Sequence, residues 1–186
     1  MDSLRSLALD IRASERTLRR AASEGLVRGE RVSAHKFRTT QVEQEYLRRQ
    51  WPLLAQLRAL LRTEPNVALA VLFGSQADGT AAPGSDVDVL VELRRDGTME
   101  AAGLSGRLSD ALDRDVRAIR LTVVGTKPSL LLDVLAQGRV LVDRDGTWNR
   151  LKQDRRQLRL AADREPSLEQ AVVDLELALD PGGRAA

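Results

Sequence analysis

An α/β (α+β) fold, with a mixed sheet flanked by helices and a small all-helical module in front of it, follows from three features of the sequence. Val67 to Phe73 is an apolar run, bounded at both ends and short enough for a buried strand, and Asp86 to Leu93 is a second. Stretches with helical apolar spacing separate the later strand-like runs, as expected of a sheet covered by helices. Residues 1 to 39 show helical spacing only. These features divide the chain into a front module (1–39), a helical connector (40–65), a main domain with C-terminal helices (66–180) and a flexible tail (181–186).

In the front module Leu4, Leu7, Ala8 and Ile11 recur at helical spacing. A second helix then runs from Glu15 to Glu24, with Ser14 as its N-cap and Gly25 as its stop. Thr40 to Arg62 is expected to be two helices, because Pro52 cannot donate to the preceding turn. After the two strands come a helix from Met99 to Leu112, a strand from Val116 to Val124, a helix from Pro128 to Ala136 and a short strand from Arg139 to Asp143. Helices near Trp148–Ala162 and Leu168–Leu179 complete the domain. Trp51 and Trp148 are expected to be core or interface anchors.

Composition removes several chemistries. The 186 residues contain no cysteine, which excludes disulfides, thiolate metal sites and cysteine nucleophiles. A single histidine, His35, excludes any mechanism that needs a pair and is expected in a loop without function. Catalysis must therefore rest on carboxylates and hydroxyls. Of the 29 basic residues only Lys36, Lys127 and Lys152 are lysines. Arginine is the better fork for phosphate and nucleic acid, although an Arg, Ala and Leu bias along a whole chain also arises from GC-rich coding. No apolar run approaches the roughly 18 residues of a membrane span, and the N-terminus lacks a signal-peptide segment, so a cytoplasmic protein without membrane contact is expected.

The chemistry concentrates where the first strand ends. Leu72-Phe73-Gly74-Ser75 is followed, after ten residues, by Asp86-Val87-Asp88. Gly74 lets a phosphate approach the backbone, and Ser75 offers a hydroxyl and amide donors at the start of a turn. Asp86 and Asp88 lie two apart on a strand, so both carboxylates leave the same face while Val87, Val89 and Val91 leave the other. One face is then dry and the other acidic. Two close carboxylates repel, and a divalent oxygen-seeking cation such as Mg²⁺ relieves them. Such an ion bridges to phosphates and supports in-line attack on a phosphoryl group. The plainer alternative is an acidic pair that caps a turn or faces solvent.

The segment from about Val67 to Asp143 resembles the minimal nucleotidyltransferase (MNT) family of the polymerase-beta superfamily, whose hallmark is this Gly-Ser, ten-residue gap and Asp-x-Asp. The resemblance implies Mg²⁺ at Asp86 and Asp88, a nucleoside triphosphate donor such as ATP seated at Gly74 and Ser75, and transfer of a nucleotidyl group to a hydroxyl. It also implies a toxin-antitoxin setting, in which such proteins are antitoxins and some adenylylate a tyrosine of a HEPN-type partner. Family members usually carry a third carboxylate on the third strand, where this chain reads Asp115-Val116-Arg117. Arg117 stands in the place of the acid, opposing a metal and favouring phosphate. Asp115 is two residues away on the same face and serves only if the strand bulges. An active enzyme and a catalytically degenerate regulator or partner-binding antitoxin are both left open. Lys127, just before a predicted helix, is a further candidate for the triphosphate.

The front module resembles the helix-turn-helix of MerR-like and winged-helix regulators, with Arg12 where a turn glycine is common. That resemblance places Arg16, Arg19 and Arg20 of the second helix against DNA. Residues 1 to 40 hold nine basic and five acidic side chains, a modest electrostatic footprint. The alternative is a helical bundle whose arginines are solvated.

Overall fold

The computed structural model describes residues 4–33 and 36–165. The expected loop at His35, the helix over 168–179 and the tail at 181–186 lie outside the described residues.

Helix α1 (Leu4–Asp10) and helix α2 (Glu15–Ser23) follow one another across a short turn. Ser14 caps α2, its hydroxyl accepting from the Thr17 amide at 3.0 Å. Gly25, at φ +86°, ends that helix. There the Leu26 amide donates to Ala21 O at 2.9 Å and Gly25 N to Ala22 O at 3.3 Å, a Schellman stop. The end of α1 makes the same pair of bonds, but with Arg12 at φ +53°, a conformation that glycine adopts more cheaply.

The module is not all-helical, contrary to expectation. An antiparallel hairpin of β1 (Glu30–Ser33) and β2 (Lys36–Arg38) follows α2. Every residue of β1 is exposed, so no apolar alternation marked it in the sequence. Helix α3 (Gln41–Thr63) runs unbroken through Pro52, also against expectation. Pro52 is on the solvent side, where water can serve the Arg48 carbonyl that its ring leaves without an amide.

Strands β3 (Val67–Phe73), β4 (Val87–Leu93), β5 (Val116–Arg120) and β6 (Arg139–Asp143) form one sheet in the order β5-β4-β3-β6. β3 is antiparallel to β4 and β6, whereas β4 and β5 are parallel. On one face Ala70, Leu72, Val87, Val89 and Val91 join α1, α2, α3 and helix α5 (Thr98–Leu112) in a continuous core that includes Leu7, Leu18, Leu54 and Leu104. The front module thus shares its core with the sheet. On the other face Leu69, Val71 and Leu90 pack with helix α7 (Pro128–Gln137) and with Trp148 of helix α8 (Thr147–Gln153). Trp51 and Trp148 are both buried, as expected of anchors.

Both sheet edges are covered. The Val116 and Ala118 amides donate to the Ser109 and Ser105 hydroxyls of α5, each at 2.9 Å. At the other edge the Val140 amide donates to Gly25 O at 3.2 Å. The third strand stops at Arg120, not Val124. Arg120 and Thr122 both bond Asp96, and Leu121–Val124 form a short helix, α6, whose Val124 enters the second core. The expected single helix near 148–162 is two, α8 and α9 (Arg155–Ala162), meeting at Asp154.

Candidate active site

Gly74 joins β3 to a one-turn helix, α4 (Ser75–Asp78), at φ +68° and ψ −158°, which a side chain would strain. Its neighbour across the ladder is Asp88, the register partner of Phe73. A methyl group on Gly74 would sit 3.3 Å from Asp88 Oδ2, so the carboxylate faces the turn with nothing packed between them. Ser75 is half-buried at the first position of α4, where the leading amides lack acceptors within the helix.

Asp86 lies just before β4, and Arg117 is the register partner of Asp88 on β5. Arg117 makes an ion pair with Asp86 Oδ2, although its side chain is 65% exposed. Burial raises the Asp88 carboxyl above its ordinary value; Arg117 pulls it back and Asp86 adds to the rise. These three side chains are therefore one electrostatic group. The face they share is not acidic throughout, as the alternation implied. Leu90 on the same side is fully buried, because α7 covers the middle of the sheet and leaves only the Asp88 end open.

Two candidates fall elsewhere. Asp115 is exposed and lines a polar hollow with Ser109, Asp110, Asp113 and Arg114. Regular pairing of β4 with β5 from Val116 onward provides no bulge to turn it inward. Among the described residues no three acidic or histidine side chains gather as a metal cluster. Lys127 begins α7 beyond the far end of β5, while the other end of that helix, Gln137, adjoins Arg28 and α4. A ten-residue helix, about 15 Å, separates Lys127 from the turn.

The sequence did not single out the support beneath the turn. Arg139, 1% exposed, donates to both Glu43 oxygens at 2.6 and 2.8 Å, to Leu26 O at 3.1 Å and to Ala77 O at 2.7 Å. Its guanidinium carbon lies 3.6 Å from the centre of the Tyr46 ring. The Tyr46 hydroxyl donates to Gln76 O at 2.9 Å, and burial pushes its pKa up to about 12. Gln76 in turn donates to Ser85 O at 3.2 Å, next to Asp86. The one available signal was an arginine directly before the apolar run 140–142.

A broader groove opens between α2, β6 and α8, with Arg62, Arg144 and Lys152 among its cations. Those charges are engaged. Arg144 donates to carbonyls at the end of α3, Lys152 lies over Trp148, and Arg62 is near Glu24.

Asp86 and Asp88 offer hard oxygen donors at the open end of the site. With phosphate oxygens, two carboxylates suit one Mg²⁺, which characteristically takes one or two carboxylates plus substrate and water. Burial of Asp88 beside Asp86 gives such an ion something to relieve. The residues fit one divalent ion.

β3 thus leads into Gly74-Ser75, with Asp88 on the antiparallel neighbour and Asp86 just before it. Residues 55–147, half of the chain, match the family described as Polymerase beta, Nucleotidyltransferase, and the chain belongs to that family. A crystal structure of a toxin-antitoxin with AMP-PNP is 26% identical, covering 67% of this chain and 98% of that chain, at a TM-score of 0.51. A MntA-HpeT toxin-antitoxin mutant, with two aspartate-to-glutamate changes two positions apart, is 25% identical over 67% and 98%, at 0.50. The Shewanella oneidensis complex of a tri-AMPylated HEPN toxin with an MNT antitoxin is 25% identical over 69% and 98%, at 0.47. No curated protein matches the chain. Among the described residues no helix is long and apolar enough to cross a membrane.

Proposed function

We propose that this protein is a cytoplasmic, Mg²⁺-dependent nucleotidyltransferase that moves a nucleotidyl group from ATP to a hydroxyl of a HEPN-type toxin partner. The observation that carries the reading is Asp88 facing Gly74 across the ladder, with Asp86 beside it. Gly74 and Ser75 would receive the triphosphate, and Asp86 and Asp88 would hold an ion whose chemistry is to neutralise phosphate charge. The similar toxin-antitoxin structure with AMP-PNP supports a nucleotide ligand. The mutant with two altered aspartates has the spacing of Asp86 and Asp88.

The test is transfer of label from α-labelled ATP with Mg²⁺ to a co-expressed HEPN-type partner. Transfer is expected from the intact protein and not from Asp86→Ala or Asp88→Ala; equal labelling by all three contradicts the assignment. The Arg117–Asp86 pair favours a second reading, an antitoxin that binds nucleotide and partner without transfer. Partner binding and ATP binding with no labelling would select it.

The front module is proposed to bind DNA through Arg16, Arg19 and Arg20, all exposed on α2, with the hairpin as a wing. Arg19 pairs with Glu15 at 2.6 Å and Arg20 with Glu24 at 2.8 Å, so both must exchange a carboxylate for phosphate. Salt-sensitive binding that weakens in the triple alanine variant is expected, by gel shift; binding unchanged in that variant removes the proposal.

A further inference from the structure

We propose that Arg117 is the second cation of this site: the guanidinium that neutralises Asp86 in the free protein turns onto the triphosphate when one divalent ion takes the Asp86–Asp88 pair. This rests on the nucleotide-binding reading above and specifies how many metal ions that site takes.

Two carboxylates and one guanidinium leave a single net negative charge, which suits one divalent ion but not two. Arg117 sits directly beside Asp88 on the neighbouring strand, about 4.8 Å away in backbone terms, and on the same face. An arginine does not lose its proton, so a second divalent ion at that strand position would meet a fixed positive charge. Among the described residues no third carboxylate joins the pair to offset it. A triphosphate needs more positive charge than one such ion supplies, and a guanidinium matches phosphate oxygens with two parallel donors.

The side chain is also free to make the exchange. It is 65% exposed, and Asp86 is its ion-pair partner. Once an ion occupies Asp86, that contact loses its attraction and the guanidinium is released toward the space in front of Gly74. Arg139 offers a contrast, since four hydrogen bonds and the Tyr46 ring fix it in place.

The experiment measures ATP binding by calorimetry in Mg²⁺ and in EDTA, and Mn²⁺ uptake by electron paramagnetic resonance without nucleotide. The intact protein is expected to bind ATP in Mg²⁺ and Arg117→Ala to lose about tenfold of that affinity, with a smaller difference between the two proteins in EDTA, where the guanidinium stays on Asp86. Arg117→Asp, which adds a carboxylate at an exposed position, is expected to take up Mn²⁺ without nucleotide more tightly than the intact protein. Equal Mg²⁺ affinities for the intact protein and Arg117→Ala would overturn the inference, as would Mn²⁺ uptake unchanged in Arg117→Asp. If the intact protein binds ATP in Mg²⁺ but Arg117 is indifferent, only this inference fails. If it binds no ATP in either condition, the nucleotide-binding reading fails with it.

Discussion

Two arginine–carboxylate pairs flank the same glycine-serine turn, and they differ in nearly everything except chemistry. Arg139–Glu43 is buried at 1% and 5% exposure, doubly hydrogen-bonded, and tied to α2's exit, α3, α4 and β6 at once. Arg117–Asp86 is open to solvent and held at one end. Burial without surplus donors makes the first a fixture that sets where α4 and Gly74 stand. Exposure makes the second exchangeable, which a substrate-handling side chain requires. The contrast teaches that an ion pair's role follows from its surroundings: desolvated charges resist loss of a partner, and solvated ones barely register it.

Breaking the buried pair should have the largest effect. Arg139→Met leaves Glu43 charged and unpaired inside the protein and is expected to cost about 3–5 kcal/mol in urea denaturation. Adding Glu43→Leu removes the stranded charge, so the double variant should recover a large part of that loss. A simple sum of the two single losses would mean that the residues do not act as a pair. Next in size, Gly74→Ala forces a side chain to φ +68° and toward Asp88, and is expected to cost about 1–3 kcal/mol and to weaken ATP binding.

Asp88→Asn sharpens the comparison by separating stability from function. The folded state raises the Asp88 carboxyl, so it holds its proton more readily folded than unfolded, and the ionised form costs stability at neutral pH. That cost is fully present above the raised folded value and fades as pH falls through it toward the ordinary aspartate range. The variant should therefore melt at a higher temperature than the intact protein at pH 7, with the gain vanishing in acid, while nucleotidyl transfer is lost. Smallest of all, Arg117→Ala is expected to change unfolding free energy by less than about 0.5 kcal/mol, as for other exposed pairs.

The parts of the molecule legible in its sequence are those where pattern and chemistry coincide locally. β3 and β6 fell where their apolar runs placed them, and Ser14 and Gly25 punctuated α2 as their side chains dictate. Gly74 and Asp88 met because a turn and an antiparallel ladder bring the ends of consecutive strands together. What escaped depends on distant neighbours. Pro52 broke no helix because its face is wet, and β5 ended early because Asp96, on another loop, captures Arg120 and Thr122. The Arg139 network joins residues more than ninety positions apart, which no local spacing announces.

The most direct test of the account is a crystal structure with Mg²⁺ and a non-hydrolysable ATP analogue. The triphosphate is expected against Gly74 and Ser75, with an ion at Asp86 and Asp88 and the Arg117 guanidinium turned from Asp86 to phosphate oxygen. A nucleotide seated instead in the groove lined by Arg62, Arg144 and Lys152, with the Arg117–Asp86 pair undisturbed, would contradict it.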